Sequence, residues 1–589
     1  MKIRVSDYIV KALEAAGINT SFAITGGFAM HLNDSFGKSC IFRTYYNHHE
    51  QACGYAALGY TKTANIPSVV CTTSGIAATN AISPCLDAYQ DSVSVLFLSG
   101  QVKTFDTLRV LNAGSGKQLR NYAFSDSDII SMVSCITKYS HEITRVDEVP
   151  EVMQRVVDAL TTGRPGPVWL SVPLDIQGAL MDDDVKLTFA QAIQHSLDLT
   201  DAYTLLLSAT RPIILAGNGI KLANCRTQFA DFVHKYKIPV VTSYLGADLI
   251  ESSSPLFIGR VGLYADRSGN FAIQNSDVVL VLGCRLSQAV VGYNPKTFAR
   301  GAKIIYVDID PSELSKETIR YHCKVHADLK TFFDSFDCRT PGYENWSATC
   351  LRWKTKWLFE IPPTVLDTPV INPYYAVKMM FDKLPDNKIV TTGAGSIAII
   401  VNQLVNIKKN DTFIWSGHGD MGTDLPMSIG SHIADPSKHF VLFTSEGTFQ
   451  FNIQELQTIV HHKLPLKIVV FNNASYGAIE ITQKAFFGNK FGVDATSGLS
   501  FPDTKKIAGA YGIQYICANV NDDLESAISD FIGSKECILL EIFCCLQVRY
   551  PKVSAVKNPD GTFTSRPVED MEPFMSREEF NAEMIIPPI

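Results

Sequence analysis

Short apolar runs that stop at glycine, serine or threonine recur along this chain, and they constrain its fold more than any other feature. "SVVCTTSG", "RPIILAGNG", "SDVVLVLGCR", "KIIYVDIDP", "KIVTTGAG" and "LKIVVFNN" are each of strand length, and a helical pattern follows each one. Strands alternating with helices predict an α/β chain of doubly wound parallel sheets with helices on both faces. In such sheets ligands sit beyond the carboxyl ends of the strands. The glycines and hydroxyl residues that end these runs are therefore the places to look for a site.

The length, 589 residues, suits several domains of ordinary size. Two stretches read as linkers: 170–191, with a proline and an acidic run, and 357–376, with four prolines. They predict domains at 1–180, 190–345 and 370–550, followed by a polar tail, 551–589, laid extended over the surface. A composition 46% hydrophobic and 19% charged is globular. A net charge of −7 without a basic block argues against a nucleic-acid partner.

No apolar run approaches the ~20 residues that span a bilayer. The start of the chain reads as an amphipathic helix with Val5, Ile9, Leu13 and Ala16 on one face and Ser6 as cap, not as a signal peptide. The 14 cysteines are scattered with no C-x-x-C pair. These features predict a reduced, cytoplasmic protein with buried thiols, no membrane segment and no zinc site.

One strand end carries more chemistry than the others. "TSEGTFQFN" puts Glu446 and Gly447 between an apolar run and a helical one that starts near Thr448. Free amides at such a helix start favour an anion. After Gly447, 24 residues (448–471) lead to Asn472 and Asn473 at the end of the next strand. A carboxylate and an amide oxygen at adjacent strand ends suit magnesium shared with a diphosphate. An ordinary strand–turn–helix with a solvated glutamate would read the same way.

At this point the chain resembles the thiamine diphosphate-dependent enzymes, whose motif is Gly-Asp-Gly followed by a pair of asparagines at a similar distance. The resemblance implies Glu446 and Asn473 as side-chain ligands of magnesium and the carbonyl of Ser475 as a third. Gly447, Thr448 and Tyr476 would then lie beside the cofactor. Ser-Glu-Gly departs from the family motif, and glutamate reaches ~1.5 Å further than aspartate.

"NHHEQACGYAALGYTK" resembles the segment with the family's catalytic glutamate, which falls on Glu50. "HGDMGTDLPMSIG" is similar to the family's G-x-M-G-x-x-L-P-x-x-I-G, which implies that the Gly419 carbonyl and Met421 hold the cofactor rings. "TTGAGS" places Gly395 and Ser396 near its phosphates. The implied architecture is a pyrimidine-binding domain, a central domain and a diphosphate-binding domain. Glu50 and the diphosphate site would meet across a subunit interface, so a homodimer or homotetramer is implied.

"ITGGFAMHLND", "TTSGIAATNAI", "LSGQV" and "GRPGPVWLSVPLDIQ" resemble acetolactate synthase-type chains in particular. They imply a substrate side of Gly26, Gly27, Thr73, Ser74 and Gln101, with Gln101 as the candidate contact to a 2-oxo acid. Gln101 could equally cap the next turn. "SGIAATN" departs from the usual G-P-G-A-T-N.

In such enzymes the central domain binds FAD, and Arg285 and Asp310 would lie near it. An adenine nucleotide or an empty vestigial site are the alternatives. The C-terminal segments "ASYGAIEITQKAFFGNKFGVDATSGLSFPDTKKIAGAYGI" and "NPDGTFTSRPVEDMEPFMSREEFNAEMI" resemble a subgroup acting in branched-chain sugar and polysaccharide biosynthesis. The implied reaction is decarboxylation of a 2-oxo acid such as pyruvate, with transfer of the acyl unit to a carbonyl acceptor, a keto-sugar nucleotide among the candidates. The alternatives are acetolactate synthesis from two pyruvates, simple decarboxylation, and a non-catalytic binding protein on the same fold.

Overall fold

The computed structural model describes residues 2–113, 118–189, 197–360, 367–545, 551–558 and 560–589. Three six-stranded sheets, parallel throughout, are each built from one continuous third of the chain. The first contains β1 (Thr20–Ala23), β2 (Arg43–Tyr46), β3 (Ser68–Thr72), β4 (Val95–Gln101), β5 (Tyr139–Glu142) and β6 (Val168–Pro173), in the order β2-β1-β3-β4-β6-β5. The second contains β7 (Pro212–Ala216), β8 (Val240–Thr242), β9 (Phe257–Arg260), β10 (Val278–Leu282), β11 (Lys303–Asp308) and β12 (Cys323–His326), in the order β9-β8-β7-β10-β11-β12. That is the order of a dinucleotide-binding fold, with a crevice where the winding reverses between β7 and β10.

The third sheet contains β13 (Lys388–Thr392), β14 (Thr412–Trp415), β15 (His439–Ser445), β16 (Lys467–Asn472), β17 (Gln514–Ala518) and β18 (Ile538–Phe543), in the order β14-β13-β15-β16-β18-β17. The doubly wound α/β class read from the apolar runs is the observed one. The all-apolar strands are those covered on both faces: every residue of "VVLVL" in β10 is buried. Among the described residues, no helix is long and apolar enough to cross a membrane. All 14 cysteines are free thiols.

The first and third domains are joined through two helices, Glu50–Ala64 and Asp424–Ala434. Both are buried nearly end to end, so neither has a solvent face. Their crossing is made of backbone. A methyl group added to Gly430 would collide with the Ala56 carbonyl oxygen, and one added to Gly59 would collide with that of Met427. Ser431 Oγ donates to the Gly59 carbonyl at 3.2 Å across the same crossing.

Two expectations about chain ends and linkers fail. The stretch 170–191 is not a linker at its start: β6 runs through Leu170 to Pro173, and Leu180–Asp182 pairs antiparallel with Lys2–Arg4. The apolar side chains of β6 face both layers of the first domain, which is why the strand is retained there. Part of that stretch and part of 357–376 lie outside the described residues.

The tail is not laid over the surface either. Val553, Val568, Met571 and Phe580 are buried in the core of the central domain. Glu569 is wholly buried, bonded to Gln274 Nε2 and to Arg300, both at 2.7 Å. Four polar residues of the helix Arg267–Asn275 reach the tail, since Arg267 donates to the Pro573 carbonyl, Asn270 to the Val568 carbonyl, and Asn275 accepts from the Ile585 amide. Polar composition misled the reading because these polar groups are paired inside.

The glycine crossing gives a direct prediction. Gly430→Ala is expected to cost about 3 kcal/mol, at the upper end of overpacking penalties. Urea unfolding should show the loss, and Ser431→Ala on the same helix should cost under about 1.5 kcal/mol, the size of one hydrogen bond.

Candidate active site

The strand ends of the third domain converge on one cavity. β15 runs straight into the helical turn Glu446–Phe449, and β16 runs into the turn at 473–476. Registry of Ser445 with Phe471 brings the two ends side by side. Glu446 is buried, and its Oε1 accepts from the Asn473 and Ser475 amides, each at 3.1 Å. Its Oε2 is buried and has no partner among the described residues. A buried carboxylate oxygen left unpaired is costly, and burial pushes the carboxyl up to about 7.

The two asparagines part company. Asn472 turns away and donates to Glu541 at 2.7 Å, whereas Asn473 lines the cavity. Asn473 Oδ1 accepts from the Ser475 amide at 3.0 Å, across a turn in which Ala474 has φ +56°. The Ser475 hydroxyl donates to Glu480.

Gly447 is where it is because the Tyr476 ring lies against it: a Cβ there would sit 2.5 Å from the ring. Thr448 Oγ1 accepts from the Gly422 amide at 2.7 Å, tying this turn to the loop that carries Gly419 and Met421. Gly395, Ser396, Gly419, Met421, Thr448 and Tyr476 all line the same cavity. Ser396 Oγ is a second buried oxygen with no partner among the described residues. Behind them Asp424 is fully buried, pushed up to about 6 by that burial, and accepts from Thr444 Oγ1 at 2.6 Å.

The strand ends of the first domain hold the other expected residues. Gly26 and Gly27 follow β1, Thr73 and Ser74 follow β3, and Glu50 opens the helix after β2. Gly26 lies directly against Thr73, and Ser74 Oγ donates to the Ser125 carbonyl at 2.9 Å. Thr73 Oγ1 is buried without a partner among the described residues. Glu50 Oε2 accepts from Asn80 Nδ2 at 3.0 Å.

The segment before Glu50 is held from the third domain. Glu455 accepts from Asn47 Nδ2 at 2.8 Å and from the His48 amide at 2.9 Å. Asn47 and Asn80 fall inside motifs quoted above, but their pairing, like that of Glu455, carries no local signal, because the partners lie 30 to 408 residues away. Glu50 is not among the residues that line the third-domain cavity.

Two expected residues sit elsewhere than the resemblance implied. Gln101 is turned inward and used up: Nε2 donates to the Ser127 carbonyl at 2.8 Å and Oε1 accepts from the Val102 amide at 3.0 Å. These bonds fix the 101–127 segment. In the central domain a second cavity opens at the β7/β10 crevice, lined by Gly219, Gly283, Arg285 and Asp308. Arg285 donates there to the Gln90 carbonyl and to Asp91 at 3.3 Å, both on the same cavity wall. Asp310 does not line this cavity; it caps the helix Pro311–Leu314 and pairs with Arg164 at 2.8 Å. Asp308, its carboxyl raised by burial, is the acid that faces in.

The third-domain site fits a hard cation with an anionic ligand. Cys544 and Cys545 also line the cavity, but the unpaired buried side-chain atoms at the site among the described residues are oxygens, Glu446 Oε2 and Ser396 Oγ.

Comparison with known proteins agrees domain by domain. The chain matches the thiamine pyrophosphate enzyme N-terminal TPP binding domain over residues 3–124, the central domain over 199–336 and the C-terminal TPP binding domain over 393–542. It is 30% identical to a probable acetolactate synthase large subunit of Methanocaldococcus jannaschii, over 98% of this chain and 97% of the relative. It is 29% identical to the acetolactate synthase isozyme 2 large subunit of Escherichia coli, over 91% and 95%. It is also 29% identical to the acetolactate synthase large subunit of Lactococcus lactis, over 87% of each. Three matched domains in the expected order, and likeness along almost the whole chain, identify it as a thiamine pyrophosphate-dependent enzyme of the acetolactate synthase-like family.

Proposed function

We propose that the protein decarboxylates a 2-oxo acid, pyruvate in the first place, and joins the resulting acyl unit to a carbonyl acceptor. The observation that carries this reading is the unpaired Glu446 Oε2, buried at the strand end where a magnesium diphosphate would need a ligand. Glu446, Asn473 Oδ1 and the Ser475 carbonyl would hold the metal. Gly395, Ser396, Gly447, Thr448 and Tyr476 would surround the diphosphate, and Gly419 and Met421 the rings. When bound, thiamine diphosphate supplies the electron sink that lets a 2-oxo acid lose carbon dioxide.

The chain's own residues do the rest. Glu50, held by Asn80 and anchored through Glu455, gives and takes a proton at the pyrimidine. Tyr476 packed on Gly447 closes the floor of the cavity against water. Gly26, Gly27, Thr73 and Ser74 form the substrate side.

Acetolactate synthases among the relatives favour a second 2-oxo acid as acceptor. Likeness to them also supports FAD in the central cavity, with Arg285 and Asp308 at its edge. The resemblance to the family implies that Glu50 and the diphosphate site meet across a subunit interface, and we read the working unit as at least a homodimer. Apolar side chains left bare on both halves support this, with Ile76 84% and Phe124 85% exposed on the first domain and Phe487 and Phe491 each 73% exposed on the third. Sedimentation at micromolar protein tests it; a monomer that turns over would sink it.

Purified protein given labelled pyruvate, thiamine diphosphate and magnesium should release carbon dioxide, and mass analysis of products over a panel of acceptors, pyruvate and a keto-sugar nucleotide included, should name the acceptor. Glu50→Gln is expected to lower the release rate by about 10²- to 10⁴-fold, the usual worth of a general acid–base, with an unchanged melting temperature. A near-normal rate would remove Glu50 from the mechanism.

Outer-shell groups alone are worth about 10- to 100-fold in metal affinity, so Glu446→Ala should weaken magnesium-dependent cofactor binding by about 100-fold or more. Glu446→Asp should stay within about 10-fold of the parent. Calorimetric titration with the cofactor reads both.

Glu446 also sets a pH dependence in the metal-free protein. Its folded value, about 7, lies above the ordinary 4.5, so the folded chain holds the proton more firmly than the unfolded chain does. Its stabilising contribution is complete below pH 4.5 and is lost as pH rises to about 7. The loss amounts to about 3 kcal/mol. Glu446→Gln should flatten that part of the urea-unfolding profile, and a profile unchanged by the substitution would contradict the assignment.

A further inference from the structure

A cavity of about 260 Å³ lies where the three domains meet. Lys62 and Asp91 come to it from the first domain, Lys221 and Arg226 from the central domain, and Lys438 from the third. None of these belongs to the cofactor residues named above. The cavity adjoins the central one, sharing Asp91, Asn218, Leu222, Leu245 and Trp415 with it.

The carboxylates nearest this junction are shared among several cations. Lys221 and Arg226 divide the two oxygens of one buried carboxylate, Asp248, at 3.0 and 2.7 Å. Lys62 takes Asp91 at 2.7 Å, but Asp91 is already engaged by His418 at 2.8 Å and Arg285 at 3.3 Å. Lys438 is mostly buried and is held only by neutral acceptors at close range, the Asn410 carbonyl at 2.7 Å and Thr412 Oγ1 at 2.8 Å; its nearest carboxylate oxygen, on Asp435, is 3.9 Å away. Four cations therefore line one cavity, and Lys438 is the one with no carboxylate oxygen within hydrogen-bond distance, although Asp87 and Asp420 also act on Lys62. Burial pushes the Lys221 and Lys438 ammonium groups below their ordinary value, and the charge of Arg226 adds to both. Cations converging on one cavity favour an anion between them.

We propose that this junction is a binding site for a small doubly charged oxyanion, a phosphate group either free or as the monoester of a small metabolite, held by Lys62, Lys221, Arg226 and Lys438. A ligand there touches all three domains at once and so ties their relative positions together. Guanidinium and ammonium donors at one point suit phosphate, which takes several charge-assisted hydrogen bonds.

The test uses the full chain saturated with thiamine diphosphate, magnesium and FAD, so that the other phosphate-binding cavities are filled. Inorganic phosphate and glycerol phosphate are titrated separately by calorimetry, against chloride at matched ionic strength. Saturable binding at one site is expected, together with hydrogen-exchange protection over residues 221–226 and 435–438. Lys438→Gln keeps a donor for Asn410 and Thr412 but removes the charge, and should weaken binding by about 10-fold or more, the worth of one hydrogen bond from a charged group. Lys438→Arg should stay within about 3-fold. Tighter binding of the ester assigns the site to a phosphorylated metabolite, and tighter binding of phosphate to the free ion; both support it. Binding no better than chloride in the parent chain, or equal affinity in a folded Lys438→Gln, overturns it.

Discussion

Two helices that touch through their backbones set the spacing on which the rest of the molecule depends. Glycines at 59 and 430 let Glu50–Ala64 and Asp424–Ala434 approach until only main chain separates them. Each helix begins at a chemically important place. One opens with Glu50, and the other follows directly on the loop of Gly419 and Met421. A larger residue at the crossing would push apart the first and third domains and, with them, every strand end those domains present. The first and third domains share one continuous apolar core through this contact, so their relative position is a packed one, without a hinge.

Buried carboxylates show which acids hold the fold and which await a ligand. Glu455 is wholly buried, and both its oxygens are taken by Asn47, His48 and Thr458. Glu446 is nearly as buried, yet only one of its oxygens is satisfied. The first is a structural tie between domains. The second is a group whose charged form the protein alone does not fully stabilise, which is the condition a metal ligand requires.

Much of this was legible in the sequence because it is local. A strand announces itself by an apolar run, and the residues ending it are next to it in the chain, so the strand-end positions of Glu446, Asn473, Gly395 and Gly419 could be read directly. What could not be read is long-range pairing. Nothing near Gln101 signals that Ser127 will consume its amide, and nothing near Asp310 signals Arg164. The two adjacent asparagines look alike, and only Glu541 across the sheet decides that Asn472 turns inward. The tail was misread for the same reason: its polar residues find partners on one helix of the central domain, some 300 residues earlier in the chain.

The first and third sheets have the same strand order, and the helices that cross at Gly59 and Gly430 each follow the second strand of their sheet. The contact is thus between equivalent elements, as in a symmetric pair of subunits. Two like sheets in one chain thus present two like rows of strand ends to their surroundings. The first carries a carboxylate at the helix start after its second strand, Glu50, and the third carries one after its third strand, Glu446.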